Sequence, residues 1–154
     1  MYFVNKIKEE YRNKDVILFL DMDGVITDYD VGRPLDFKHK RPLMTNIKTF
    51  QILSEMPNLL LYVLSICKKD YQIEEKNEWL DKYAPFIQHE NRIILSKESY
   101  PFKTSSELKY DYLKDFIRNV DSKTVIMVDD DNAILKKLQE IPGLVLFQDS
   151  SLID

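Results

Sequence analysis

Residues 16–28 read VILFLDMDGVITD: five consecutive apolar residues, then two aspartates one residue apart, then glycine. A run that is apolar at every position, without alternation, has the pattern of a strand covered on both faces. It points to a parallel sheet with helices on either side. Carboxylates at the end of such a run need a reason to be there. In an extended chain, residues two apart point the same way, so Asp21 and Asp23 can face one crevice. Gly24 then allows a sharp turn. The competing reading is a strand that simply exits into a polar turn.

The rest of the chain repeats the strand pattern. LLLYVLS (59–65) and TVIMVD (124–129) are equally continuous runs; RIILS (92–96) and LVLF (144–147), the latter opened by Pro142-Gly143, are shorter ones. Between them lie helical periodicities. LMTNIKTFQILSEM has Pro42 at its start and Pro57 as its stop, and DYQIEEKNEWLDKY runs to Ala84-Pro85. SSELKYDYLKDFIRNV offers a Ser cap and places Leu108, Tyr112, Leu113, Phe116 and Ile117 on one face. NAILKKLQEI closes the series. Strand and helix alternate, which predicts an α/β fold: a three-layer, Rossmann-like open parallel sheet with helices on both faces. With only three glycines and no linker-like tract or repeat, residues 1–154 read as one domain. In such sheets the reactive crevice lies beyond the carboxyl ends of the strands, so the polar residues that end the apolar runs are the ones to weigh.

Those residues are Asp21 and Asp23, then Ser65, then Asp129-Asp130-Asp131-Asn132. Four or five carboxylates converging at one sheet edge repel one another unless a cation sits among them. Mg²⁺ suits this setting, since it uses one or two carboxylates, waters and a substrate phosphate. One carboxylate of the Asp-x-Asp pair can attack phosphorus while the other passes a proton to the leaving oxygen. Ser65 can hold a phosphoryl oxygen or serve in a turn or cap. A lysine is needed to offset charge on a transferring phosphoryl group. Lys109, near the start of its helix, and Lys103, just before that helix, compete for the part. Asp131 and Asn132 are readable either as helix caps or as further ligands.

Composition narrows the partners. The net charge is −4, so no global basic surface advertises a nucleic-acid polymer. The single cysteine, Cys67, excludes an internal disulfide and suits a reducing compartment. The first residues, MYFVNKIKEEYRNKD, carry charges throughout, unlike a signal peptide. No apolar run approaches the roughly 20 residues that span a bilayer. The expectation is a cytoplasmic protein that acts away from membranes.

Taken together, LFLDMDGVITD, LYVLS, ELKYDYL and VDDDNAIL resemble the four ordered motifs of the haloacid dehalogenase (HAD) superfamily, from about residue 16 to 147. DMDGV with EEKNEWLDKYAPFI resembles bacterial members of the cytosolic 5′-nucleotidase type C group within it. The resemblance implies a phosphatase in which Asp21 is the nucleophile and Asp23 the general acid and base. It implies Mg²⁺ held by Asp21, Asp129 and the backbone carbonyl of Asp23, with Asp130 close by. Ser65 and Lys109 would hold the phosphoryl oxygens. An acid at position 23, where transport ATPases of the superfamily place Thr, argues for hydrolysis of the phosphoenzyme. Residues 24–40 are too few for a cap domain, which implies a capless member with a short flap after the first strand. Capless members often take large substrates or borrow cover from a second subunit, so a homo-oligomer is one expectation; others take nucleotides. The expected substrate is therefore a phosphorylated small molecule, with nucleotides one class. The alternatives are a catalytically idle binding module and a phospho-accepting signalling domain. In receiver domains, however, the acidic pair comes first and the phosphorylated aspartate later.

The flap carries a basic cluster, Arg33, Lys38, His39, Lys40 and Arg41, readable as a phosphate attractor or as a solvated charge run. His39 and His89 lack ligand spacing and read as surface residues. Cys67 has no acid–base histidine near it. Trp79, Tyr83 and Phe86, at helical spacing, read as packed on the sheet, with a base-stacking platform as the alternative.

Overall fold

A computed structural model describes residues 2–28 and 37–152. Its strands are β1 (Val16–Leu20), β2 (Leu59–Cys67), β3 (Arg92–Ser96), β4 (Thr124–Asp129) and β5 (Val145–Gln148). All pair in parallel, in the order β3-β2-β1-β4-β5. The helices are α1 (Tyr2–Glu10), α2 (Met44–Ser54), α3 (Tyr71–Tyr83), α4 (Ser105–Arg118) and α5 (Asn132–Leu138).

The continuous apolar runs mark strands covered on both sides. Val16, Leu18 and Leu20 of β1 join one core with Phe3, Val4 and Ile7 of α1, Phe50 of α2 and Trp79 of α3. Ile17 and Phe19 join the opposite core with Leu113 of α4 and Ile134 and Leu138 of α5. The result is the three-layer, Rossmann-like open sheet that the sequence predicts. Strand order reverses between β1 and β4, and a switch point of this kind is where open α/β sheets form their crevice.

Local differences have local causes. β2 continues two residues past Ser65, because Ser65, Ile66 and Cys67 pair with Ile94, Leu95 and Ser96 of β3. Ser65 is thus inside β2 but beyond the last residue pairing with β1, Leu20 opposite Val63. α4 is capped by Thr104, whose hydroxyl accepts from Glu107 N at 3.1 Å, rather than by a serine. Pro42 does not open α2; it bridges Thr27, and the helix starts at Met44. That bridge, with Asp28 N donating to Arg41 O (2.8 Å) and Leu43 N to Ile26 O (2.8 Å), forms the paired base of the expected flap. The middle of that flap, residues 29–36 including Arg33, lies outside the described residues. Among the described residues no helix is long and apolar enough to cross a membrane.

Candidate active site

β1 and β4 run side by side in register, Leu20 opposite Val128, and each delivers an aspartate at its carboxyl end. Asp21 N donates to Val128 O at 3.0 Å, which extends the ladder by one bond and sets Asp21 beside Asp129. Both residues are buried. With Asp130 they offer carboxylate oxygens that all lie within 4.8 Å of one another. At that spacing and an effective dielectric of about 20, each ionised pair repels by roughly 3 kcal/mol or more.

Among the described residues, one cation forms ion pairs with this cluster. Lys109, 1% exposed in the second turn of α4, places Nζ 2.6 Å from Asp129 Oδ2 and 3.2 Å from Asp21 Oδ1. Burial works against its charge, but the two carboxylates outweigh that and raise its pKa well above the usual lysine range. Lys103, its competitor, lies on the surface and pairs with Asp111. A single lysine does not balance three acids. Burial pushes the Asp21 carboxyl up to about 8, with Lys109 opposing and Asp129 and Asp23 adding to the rise. Burial and the charge of Asp129 lift Asp130 to about 6.

Gly24 sets the distance between the two acidic segments. Its φ of +79° is in the left-handed region, and a Cβ there would lie 2.6 Å from Asp130 Cγ. Only a residue without a side chain lets the turn after Asp23 pass beside Asp130.

Asp23 stands apart from the acid cluster in its electrostatics. Its Oδ1 meets Lys40 Nζ at 2.5 Å and Thr27 Oγ1 at 3.3 Å, and its Oδ2 meets Lys76 Nζ at 3.2 Å. Burial raises its pKa, but Lys76 and Lys40 together outweigh burial and hold it below the usual carboxylate range. Lys76 Nζ also donates to Ser65 Oγ at 2.6 Å and to Ile66 O at 3.2 Å. The ring of Phe37 lies under both lysines, with Nζ 4.8 Å (Lys76) and 5.0 Å (Lys40) from its centroid, a cation–π arrangement. Trp79 packs edge-on against Phe37 and donates its Nε1–H to Lys40 O at 2.9 Å. The end of the flap is thereby fastened to α3.

The structure therefore brings Asp21, Asp23, Asp129, Asp130, Ser65 and Lys109 to one edge of the sheet. It assigns the residues left open in the acidic run differently. Asp131 caps α5, its Oδ1 accepting from Ala133 N (2.8 Å) and Ile134 N (3.3 Å), and Asn132 Oδ1 accepts from Gln148 Nε2 at 2.7 Å. In the basic cluster, Lys40 is buried against Asp23, whereas Lys38 and His39 are exposed and Arg41 pairs with Asp28 at the surface. His89 pairs with Asp81, and Cys67 is buried with Sγ donating to Lys69 O. Lys76 is the functional candidate that the sequence reading passes over. Its signal is a polar interruption: Lys76 and Gln72 share the buried face of α3 with Trp79 and Leu80.

No family model and no curated protein matches this chain. Among solved structures it is similar to a chain of the Pnkp1/Rnl/Hen1 complex, with TM-score 0.67 and 15% identity over 88% of this chain and 46% of that one. A chain of the Pnkp1/Rnl/Hen1 RNA repair complex matches with TM-score 0.65 and 15% identity, over 88% of this chain and 42% of that one. DsGPDH of Dunaliella salina matches with TM-score 0.55 and 17% identity, over 93% of this chain and 25% of that one. This chain thus spans less than half the length of each. At these identities the likeness is one of fold.

Proposed function

We propose that this chain is a Mg²⁺-dependent phosphomonoester hydrolase of the haloacid dehalogenase type, working through an aspartyl-phosphate on Asp21. The observation that carries the reading is the meeting of Asp21, Asp129 and Asp130 with one buried lysine at the switch point, beside a separately held Asp23. The donor set fits Mg²⁺: the ligands are hard carboxylate oxygens, and three acids with one lysine leave two negative charges. Asp21, Asp129 and the backbone carbonyl of Asp23 would hold the ion, with Asp130 directly or through water. When bound, it supplies positive charge that keeps Asp21 ionised and screens the phosphoryl oxygens.

The chain's own residues divide the remaining work. A carboxylate oxygen of Asp21 attacks phosphorus as the bond from phosphorus to the ester oxygen breaks. Asp23, which Lys76 and Lys40 hold ionised in the free protein, must first take up a proton from solvent and then passes it to that leaving oxygen. Asp23, again ionised, then takes a proton from water as the water oxygen attacks the aspartyl-phosphate. Inorganic phosphate leaves and the Asp21 carboxylate is restored. Ser65 offers its hydroxyl to the phosphoryl oxygens. Lys109 has two of its three N–H groups on Asp129 and Asp21, which leaves the third for a phosphoryl oxygen. The proposed substrate is a phosphorylated small molecule, with nucleotides the first class to try. The likeness to chains of an RNA repair complex adds a phosphate-ended oligonucleotide to the panel.

The test is phosphate release from an aryl phosphate, a nucleotide panel and that oligonucleotide, with and without Mg²⁺, in wild type and Asp21→Asn. The reading expects Mg²⁺-dependent release that Asp21→Asn abolishes. Release that persists in Asp21→Asn removes the nucleophile. No release on any substrate leaves a binding module, and a stable phosphoenzyme without turnover indicates a phospho-accepting domain.

A further inference from the structure

We propose that Lys76, together with Ser65, is a catalytic residue that grips a phosphoryl oxygen of the substrate; the inference rests on the phosphomonoesterase reading above. Three observations carry it. The first is burial. Lys76 is 2% exposed on a helix face it shares with Gln72, Trp79 and Leu80, and a lysine ammonium is rarely placed there unless an anion or strong acceptors hold it.

The second is the choice of partners. The shortest contact of Lys76 Nζ is to a neutral hydroxyl, Ser65 Oγ at 2.6 Å. Its contact with the Asp23 carboxylate is longer, 3.2 Å, and Asp23 already has Lys40 at 2.5 Å. Ion pairing with Asp23 therefore accounts for only part of the aim of Lys76, whose shortest contact is the Ser65 hydroxyl.

The third is an unused donor. Ser65 is fully buried and its oxygen accepts from Lys76, which turns its own O–H away from the ammonium. Among the described residues that O–H has no acceptor. A buried hydroxyl with an unpartnered hydrogen, set against a buried ammonium, is a site for an acceptor carrying negative charge.

A phosphoryl oxygen meets both requirements. It accepts from the Ser65 O–H and takes the place of Asp23 or Ile66 O, the two longer partners, at Lys76 Nζ. Lys109, with two of its donors on Asp129 and Asp21, keeps one for the phosphoryl group, and Lys76 adds a second substrate-side cation.

Inorganic phosphate is the probe, measured as a competitive inhibitor and by calorimetry with Mg²⁺ present. Lys76→Met keeps the stem of the side chain and leaves Asp23 with Lys40; it is expected to weaken phosphate binding about 10- to 100-fold, the loss of a charge-assisted hydrogen bond. Mg²⁺ affinity measured without phosphate is expected to stay within about two-fold, because the charge removed is not among the three clustered acids. Lys76→Arg should recover part of the loss. Ser65→Ala, a small change if Lys76→Met fails to fold, should weaken phosphate several-fold without altering Mg²⁺ affinity. Phosphate binding unchanged in both variants overturns the proposal while leaving a hydrolytic wild type intact. A parallel loss of Mg²⁺ affinity also overturns it, since Lys76 would then act by shaping the site. A wild type that neither binds phosphate nor hydrolyses any phosphomonoester overturns the functional reading itself, and this proposal with it.

Discussion

Among the described residues, two glycines with positive φ, Gly24 and Gly143, allow the turn beside the acids to be probed with an internal control. Gly24 and Gly143 have nearly the same φ, +79° and +81°, but a Cβ at Gly143 has nothing within 4 Å whereas one at Gly24 meets the Asp130 carboxylate. Placing alanine in the left-handed region costs roughly 1–2 kcal/mol. The smaller conformational freedom of the unfolded alanine chain offsets about 0.4–1 kcal/mol of that. Gly143→Ala is therefore expected to lose about 1 kcal/mol or less. Gly24→Ala must also swing the Asp130 side chain out of its position, a rotamer cost of about 0.5–1.5 kcal/mol. Its expected loss is near 2 kcal/mol in total. For a chain of this size each kcal/mol lowers the melting temperature by roughly 2–4 °C, so the pair should separate clearly in thermal and urea unfolding. Moving Asp130 also disturbs the acid cluster, so Gly24→Ala should weaken Mg²⁺ binding about ten-fold by calorimetric titration, with Gly143→Ala unchanged. In an Asp130→Ala background the excess cost of Gly24→Ala should mostly vanish. Equal costs for the two glycines, or unaltered Mg²⁺ affinity in Gly24→Ala, would refute the reasoning.

The acid cluster and its neighbours support further expectations. Lys109→Met leaves Asp21 and Asp129 buried without their cation and should destabilise the metal-free protein by about 3–5 kcal/mol in urea unfolding, whereas surface Lys103→Ala should stay within about 0.5 kcal/mol. Asp131→Ala removes the α5 cap and should cost about 0.5–2 kcal/mol in the same assay; an accompanying loss of Mg²⁺ affinity would show that Asp131 is also a ligand. In chelator, Asp21 (about 8) and Asp130 (about 6) hold protons in the folded state that a carboxyl near 4 has lost in the unfolded chain. Their contribution to stability is therefore present at low pH and lost as pH rises through those values. The chelated protein's melting temperature should fall between pH 5 and 8.5 and fall less with saturating Mg²⁺; a flat or rising profile in chelator would contradict the burial of these acids.

Strands were the most legible part of the chain because burial on both faces leaves a continuous apolar signature. β1, β3 and β4 cover VILFL, RIILS and TVIMVD residue for residue. Edges that depend on a neighbour were harder: β2 outlasts Ser65 because β3 supplies partners to Cys67, a fact of pairing rather than of composition. The first motif and the acidic run could be brought together from topology alone, since parallel strands with alternating helices place their carboxyl ends on one side. Lys76 was not legible in this way, because helix lysines are ordinarily solvated and only a view of the whole α3 stripe shows this one among buried residues. Lys40 was hidden for a related reason. Five basic residues within a short stretch look alike in sequence, and the turn at Phe37–His39 decides which of them enters the crevice. The choice between Asp131 as cap and Asp131 as ligand likewise depended on where the amides of α5 fall.

Trp79 is the only tryptophan in the chain, and its indole N–H is bonded to the backbone of Lys40 while its ring edge meets Phe37. The protein thus carries a built-in fluorophore where Phe37 and Lys40 meet α3, free of any competing indole. Its emission wavelength follows the polarity around that one ring. A loosened Lys40 carbonyl or a wetted Phe37 would shift the spectrum without any label. Under the proposed function, Mg²⁺ and phosphate titrations would then be readable from this one emission band on the unmodified chain.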